Sequence, residues 1–273
     1  MNTIKRIFKK EKVTIGVIHF LPLLGYPKFP GVKKVLDLAL KDLKALETGG
    51  VDGIMVENNY DVPHQIFVGP ETISSMTYLT GQIIKKTKLP VGISVLWNDY
   101  KASLSIAKVC GGKFIRVPVF VDDVRTNYGD IFAESDQVIK YRKQIKGENI
   151  ALLTDIHVKH AKLISKYSLA ESAKLAIKKG SDGIIVTGKW TADEPSLDDL
   201  KSVRMTAQKF PVFVGSGATE KNIDKLIQYA DGVIIGTSLK TGQENKKHVN
   251  IKGAKERIDL EKVKRFVKRF KKV

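Results

Sequence analysis

Chemistry in this sequence is concentrated where short apolar runs give way to polar residues. His19 follows TIGVI, Glu57 and Asn58 end GIMVEN, Asn98 and Asp99 follow PVGISVLW, and Arg116 interrupts FIRVPVF. Asp155 sits near the end of IALLTDI with Lys159 and His160 just beyond it, and Thr187 ends GIIVT. Two carboxylates whose pKa values are pushed apart can serve as general base and acid, a role open to Glu57 and Asp155. His160 is the alternative proton carrier, and His19 is either a shuttle or a hydrogen-bonded rim histidine. A guanidinium between Ile115 and Val117 needs an anion to offset its desolvation, so Arg116 faces Glu57, Asp155 or a substrate. Lys159 suits the neutralisation of a phosphate or an oxyanion. No lysine lies inside a predicted strand near its C-terminal end, which leaves a Schiff-base aldolase with little support.

A second kind of chemistry resides in PVFVGSGATEKNIDKLIQYADGVIIGTSLK, residues 211–240. Two apolar runs open directly into small-residue turns, Gly215-Ser216-Gly217 and Gly236-Thr237-Ser238. Such turns let backbone N–H groups approach a ligand closely, and a helix starting after the turn would add positive potential. An anion fits there, and a phosphate best. The run Asp155-Ile-His157-Val-Lys159-His160 carries metal-ligand residue types, but alternate residues of a strand point to opposite faces and no matching Cys/His set occurs elsewhere. No cofactor is therefore expected, and a divalent metal is the lesser alternative. Neither a GxxxxGK[ST] nor a GxGxxG run is present.

These groups need a scaffold that brings strand ends to one rim. Apolar runs predict eight strands, at 14–20, 53–58, 90–97, 114–120, 150–156, 183–188, 211–214 and 232–235, with amphipathic stretches between them. The helices are expected at 33–47, 71–86, up to Cys110, 135–145, 169–179, 197–209 and 220–229, with a basic one over 255–272. Asn98-Asp99 doubles as a helix cap. GVDGIMV at 50–56, GSDGIIV at 180–186 and ADGVII at 230–235 repeat one pattern, and LPVGISV echoes FPVFVGS, as two related half-barrels would. The expected fold is a (β/α)8 barrel of the phosphate-binding kind, in which the loops after strands seven and eight hold phosphate. An open doubly wound sheet is the runner-up and gives no reason for the half-chain echo.

Composition bounds the rest. With 273 residues and 42% hydrophobic content, the chain suits one such domain, 1–273, with a basic segment at 1–12. One cysteine, Cys110, rules out an internal disulfide framework and suits a reducing, cytoplasmic setting. The net charge of +18 comes from 39 lysines and eight arginines spread along nearly every element, so a solvated surface is read rather than a nucleic-acid interface. Val263, Phe266, Val267 and Phe270 form an apolar stripe at helical spacing in KVKRFVKRFKKV. Packing on the barrel is the preferred reading of that stripe, with peripheral docking on an anionic membrane the minor one. Homo-oligomerisation is left open.

Several segments together carry a family resemblance: GVIHFLPLLGYP (16–27), GGVDGIMVEN (49–58), VGPET (68–72), LPVGISVLWND (89–99), FIRV (114–117), VKHA (158–161), VGSGAT (214–219) and ADGVIIGTSLK (230–240). Over nearly its whole length the chain resembles the BtpA/SgcQ family of barrel proteins. The resemblance implies kinship with phosphate-binding barrels, one member being associated with photosystem I assembly and others looking tied to sugar metabolism. It implies site roles for His19, Glu57, Asn58, Asn98, Asp99, Arg116, Lys159, His160, Gly217, Thr237 and Lys240. Where the family usually has Thr-Asp-Gln-Gly, this chain has Thr126-Asn127-Tyr128-Gly129 and so lacks that loop carboxylate. The functional expectation is an enzyme acting on a phosphorylated sugar or a nucleotide-like metabolite. Isomerisation, lyase chemistry and glycosyl-bond cleavage stay open, and the rival is a non-catalytic assembly or stability factor for a membrane complex.

Overall fold

Eight parallel strands close into a barrel in the order β1-β11-β10-β9-β7-β4-β3-β2. They are β1 (Val13–His19), β2 (Gly53–Glu57), β3 (Val91–Ser94), β4 (Phe114–Val117), β7 (Ala151–Ile156), β9 (Gly183–Val186), β10 (Val212–Val214) and β11 (Gly232–Ile235). The structure is a computed structural model and describes residues 3–242 and 256–272, so residues 1–2 and 255 of the expected basic segments lie outside the described residues. Crossover helices cover the strands: α2 (Val32–Gly49), α3 (Pro70–Ile84), α4 (Tyr100–Cys110), α5 (Ser135–Gln144), α6 (Leu169–Lys178), α7 (Leu197–Ala207) and α8 (Ile223–Leu226). A short helix α1 (Thr3–Phe8) precedes β1, and α9 (Leu260–Phe270) follows the last strand. Strands buried on both faces explain the unbroken apolar runs.

The repeated Asp-Gly pattern has one physical job at three junctions. Asp52, Asp182 and Asp231 each donate a backbone N–H to the carbonyl of Thr14, Leu152 and Val212 on the neighbouring strand, at 2.8, 2.9 and 2.7 Å. Their carboxylates accept the N–H of the same three residues at 2.8, 2.9 and 2.8 Å. This two-point clamp satisfies the strand starts and fixes register at the bottom of the barrel. The glycine after each aspartate then leaves room for large interior side chains. A Cβ on Gly232 would stand 2.5 Å from the Phe213 ring, and one on Gly53 2.6 Å from the Phe8 ring.

Phe114 and Phe213 fill the barrel with Ile15, Val17, Met55, Leu153, Ile185 and Ile234. From below, α1 inserts Ile4 and Phe8 into the same cluster, the Phe8 and Phe114 rings lying 5.6 Å apart. The basic N-terminal segment thus contains a plug. Val263, Phe266, Val267 and Phe270 are buried against the barrel's outer layer, as the packing reading of that stripe expected.

Two loops differ from expectation. The stretches read as plain loops after the fourth and fifth strands carry β5 (Val124–Thr126), β6 (Gly129–Ile131) and β8 (Lys162–Leu163), which form a small antiparallel sheet. Arg125 clasps Asp130 across the hairpin with two bonds of 2.7 Å, and Thr126 Oγ1 donates to the Gly129 carbonyl to set the turn. Between β10 and β11 the expected helix at 220–229 shrinks to the four residues of α8, flanked by i→i+3 turns such as Tyr229 N–H to Leu226 O at 3.2 Å. The long helix expected to start there is therefore reduced to a single turn.

A Cβ on Gly92 would lie 2.1 Å from the Phe114 ring. Gly92→Ala should cost about 1–3 kcal/mol by overpacking. Phe114→Leu in the same chain should recover part of the loss, as read by urea denaturation.

Candidate functional site

The barrel's C-terminal rim opens into a cavity of ≈ 950 Å³. Eleven of the seventeen residues expected at the site line it: His19, Glu57, Arg116, Lys159, His160, Gly215, Ser216, Gly217, Gly236, Thr237 and Ser238. They come from the ends of β1, β2, β4, β7, β10 and β11.

Arg116 organises the floor. Its Nε and Nη2 donate to Asp155 at 2.8 and 2.7 Å, and its Nη1 lies 3.7 Å from Glu57 Oε2. Both carboxylates and the guanidinium are buried. Asp155, expected as an acid-base group, is engaged by Arg116 through both carboxylate oxygens and lies off the cavity wall. Burial opposes the Arg116 charge, but Asp155 and then Glu57 override it and keep the guanidinium cationic.

Glu57 differs from Asp155. Its Oε1 lies 3.4 Å from His19 Nε2, while its buried Oε2 has no hydrogen-bond partner. Burial pushes its carboxyl up, and the hydrogen bond with His19 and the charges of His19, Arg116 and Lys159 hold it well below the usual carboxylate range. Behind His19, Lys240 Nζ donates to Nδ1 at 2.6 Å and to the Tyr60 hydroxyl at 2.9 Å. Burial and the Lys240 charge lower His19 to about 4, so at neutral pH its Nε2–H faces Glu57. Lys240, expected against a ligand, is instead buried behind His19, its pKa brought to about 8 by burial and by Arg257.

Lys159 lines the cavity, and among the described residues its ammonium has no protein hydrogen-bond or ion-pair partner. Burial, then the Arg116 charge, lower it to about 8. His160 Nε2 lies 2.6 Å from Thr191 Oγ1 and accepts the Thr191 N–H at 3.2 Å, while its ring packs against Trp190. It therefore orders the loop after β9, and the Asp155–His160 run does not converge on one point. Among the described residues no group of three or more His, Cys, Asp or Glu is arranged to hold a metal ion.

At the opposite side of the rim, the turns after β10 and β11 present amides. The N–H groups of Ser216, Gly217, Thr237 and Ser238 have no protein acceptor among the described residues. Gly217 sits at φ +68°, and a Cβ there would meet Glu194 N at 2.1 Å, so only glycine admits the neighbouring loop. The serine hydroxyls are otherwise engaged: Ser216 Oγ donates to the Asp193 carbonyl and Ser238 Oγ to the Ala218 carbonyl, each at 2.7 Å.

Four further expected contacts prove to be loop latches off the cavity wall. Asn58 bonds both the N–H and the carbonyl of Leu96, and Asn98 does the same for Val119. Asp99 accepts from Val68 N–H as well as capping α4 at Ala102, and Thr187 Oγ1 accepts the Lys159 N–H. The wall also contains Asn59, read from the sequence with Glu57 and Asn58 at the end of the second strand but given no role, and five residues not selected: His64, Trp97, Tyr128, Lys189 and Trp190. Of these, Asn59 and Trp97 adjoin residues that were selected, a signal for a wall if not for a role.

Asp155→Asn should cost about 3–5 kcal/mol because it strands a buried cation, and adding Arg116→Met should restore much of it. Folded pKa values of about 4 for His19, His64 and His160 lie below the unfolded value of 6.5. The unfolded chain then binds more protons below pH 6.5, so stability is full above that pH and is lost as pH falls from 6.5 toward 4. Thermal melts across that window should show the decline, and His64→Phe should flatten it.

Residues 10–272 match the BtpA family. The photosystem I biogenesis protein BtpA of Synechocystis sp. is 38% identical over 263 residues, covering 95% of this chain and 88% of that protein. An uncharacterised protein of Archaeoglobus fulgidus is 35% identical over 261 residues, covering 96% and 99%. Among solved structures, phosphoribosylanthranilate isomerase from Pyrococcus furiosus superposes with a TM-score of 0.57 at 16% identity, covering 96% of this chain and 100% of that one. A KDPGal structure gives 0.58 at 14%, covering 95% and 94%. These likenesses show the (β/α)8 barrel fold, and the family match with the 38% identity shows that the chain belongs to the BtpA family.

Proposed function

We propose that this chain is a single-domain, cytoplasmic barrel enzyme acting on a phosphorylated sugar or nucleotide-like metabolite. The observation that carries the reading is the pairing, within one cavity, of a buried carboxylate oxygen without a hydrogen-bond partner, Glu57 Oε2, and four backbone amides without acceptors among the described residues. A polar group left unpaired by protein in such a cavity is completed by water, an ion or a ligand. The amides at Ser216, Gly217, Thr237 and Ser238 would cradle the phosphate.

Chemistry then falls to the floor. Glu57, ionised and oriented by His19 and Arg116, accepts a hydrogen bond from a substrate hydroxyl or steadies positive charge that develops beside it. Lys159, with a pKa of about 8, is the group poised to give or take a proton near neutrality. Arg116 and Lys189 add positive potential for the anionic substrate. Isomerisation, lyase chemistry and glycosyl-bond cleavage all fit this arrangement.

The name of the Synechocystis relative supports a second reading, an assembly or stability factor for a membrane complex. Against it stands the C-terminal apolar stripe, which is spent on the barrel rather than offered to lipid. No helix of the described residues is long and apolar enough to cross a membrane.

Thermal melts with a panel of phosphosugars and nucleotides separate the two readings. A ligand present at 100 times its Kd should add about 2.7 kcal/mol. No shift with any phosphorylated compound, together with salt-sensitive binding to anionic vesicles, favours the assembly role. Once a turnover assay is found, Lys159→Arg should cut kcat at least a hundredfold and remove the ionisation near pH 8 from its pH profile. Glu57→Gln should lower kcat/KM while the phosphate-dependent thermal shift persists.

A further inference from the structure

The cavity has two unlike ends, and barrel topology sets them across from each other. In the strand order β1-β11-β10-β9-β7-β4-β3-β2, β10 and β11 stand diametrically opposite β3 and β4. The amide turns belong to the first pair. Loops after β2, β3 and β4 supply the other end with His64, Trp97 and Tyr128, while Trp190 lines the cavity from the loop after β9, the strand beside β10.

That end is built as well as apolar. Trp97 packs with Val119, Val124, Ile131 and Val158 beneath the small β5-β6-β8 sheet, with Tyr128 from the hairpin turn alongside. The Trp97 N–H is held by the Gln65 carbonyl at 2.8 Å, which brings His64 next to it, and the His64 and Tyr128 rings meet edge-on at 5.3 Å. Trp190, by contrast, is 52% exposed at the cavity mouth. Within this aromatic wall the His64 Nδ1 is buried and has no hydrogen-bond partner. Burial lowers His64 to about 4, so near neutral pH its ring is uncharged and offers one nitrogen to a neutral heteroatom.

We infer that the ligand joins a phosphate to a planar heteroaromatic ring, as a nucleoside monophosphate does. The phosphate rests on the turns after β10 and β11, and the ring lies against Tyr128, Trp97 and Trp190 with its edge toward the His64 side chain. The intervening sugar hydroxyls fall over Glu57 and Lys159. Flat aromatic faces and an unpaired ring nitrogen suit a base, whereas a bare sugar phosphate would leave this half of the cavity unfilled. The inference rests on the proposed phosphate cradle and narrows its substrate class.

Calorimetric titration with AMP, GMP, CMP and UMP, set against ribose 5-phosphate, glucose 6-phosphate, inorganic phosphate and the free nucleosides, tests it. At least one nucleotide should bind tenfold or more tightly than ribose 5-phosphate. Trp190→Ala and Tyr128→Ala, each confirmed to melt as the unmodified chain does, should bring that ratio toward one and leave ribose 5-phosphate affinity unchanged. His64→Leu provides a third variant should either of these misfold. Ribose 5-phosphate or glucose 6-phosphate matching every nucleotide would overturn the ring assignment and leave the phosphate cradle standing. Nucleosides binding as tightly as nucleotides, with no binding of ribose 5-phosphate, would keep the ring and remove the cradle. Absence of binding by all of them would end both.

Discussion

A guanidinium taken out of water at the heart of the barrel rim is the constraint around which the site is arranged. Arg116 can be buried there only because β7 supplies Asp155 in bidentate geometry at 2.8 and 2.7 Å. That pairing ties β4 to β7 and leaves one edge of the guanidinium 3.7 Å from Glu57 on β2. With the His19 hydrogen bond, this charge holds Glu57 ionised, and its Oε2 is left without a hydrogen-bond partner. Lys159 feels the same guanidinium as a repulsive neighbour, part of what brings its pKa to about 8. The buried guanidinium thereby adds, after burial and His19, to the forces that set the charge of two side chains facing the cavity.

Rigidity below serves geometry above. The Asp-Gly clamps fix strand register at the bottom, and α1 closes the barrel floor with Ile4 and Phe8. At the rim, Asn58 and Asn98 stitch successive loops through paired backbone bonds, so the loops after β2, β3 and β4 form one continuous wall. Side chains that seemed chemical from sequence are in this way the supports of those that are.

What was legible in the sequence follows from which forces are local. Eight doubly buried strands announce themselves by unbroken apolar runs, and the Asp-Gly echo reports a packing solution used at three junctions. The barrel, its rim and eleven lining residues could be read from these. Partner choice between neighbouring strands was less legible: the sequence offers Asp155 as one of three possible partners of Arg116 without singling it out, and nothing near Lys240 says that it lies behind His19, 2.6 Å from its ring. The β5-β6-β8 sheet escaped because strands of two or three residues carry no period, and their pairing joins segments about forty residues apart. His64 escaped because it follows a loop Pro63 rather than a strand end.

The central claim is that the turns after β10 and β11 offer bare amides to an anion on the same rim as Glu57 and Arg116. Titration of the isotopically labelled protein with inorganic phosphate, followed through its backbone amide resonances, addresses it most directly. Early, saturable shifts at Ser216, Gly217, Thr237 and Ser238 are the predicted result. Shifts scattered over the surface lysine-bearing helices, with those four resonances unmoved, would contradict it.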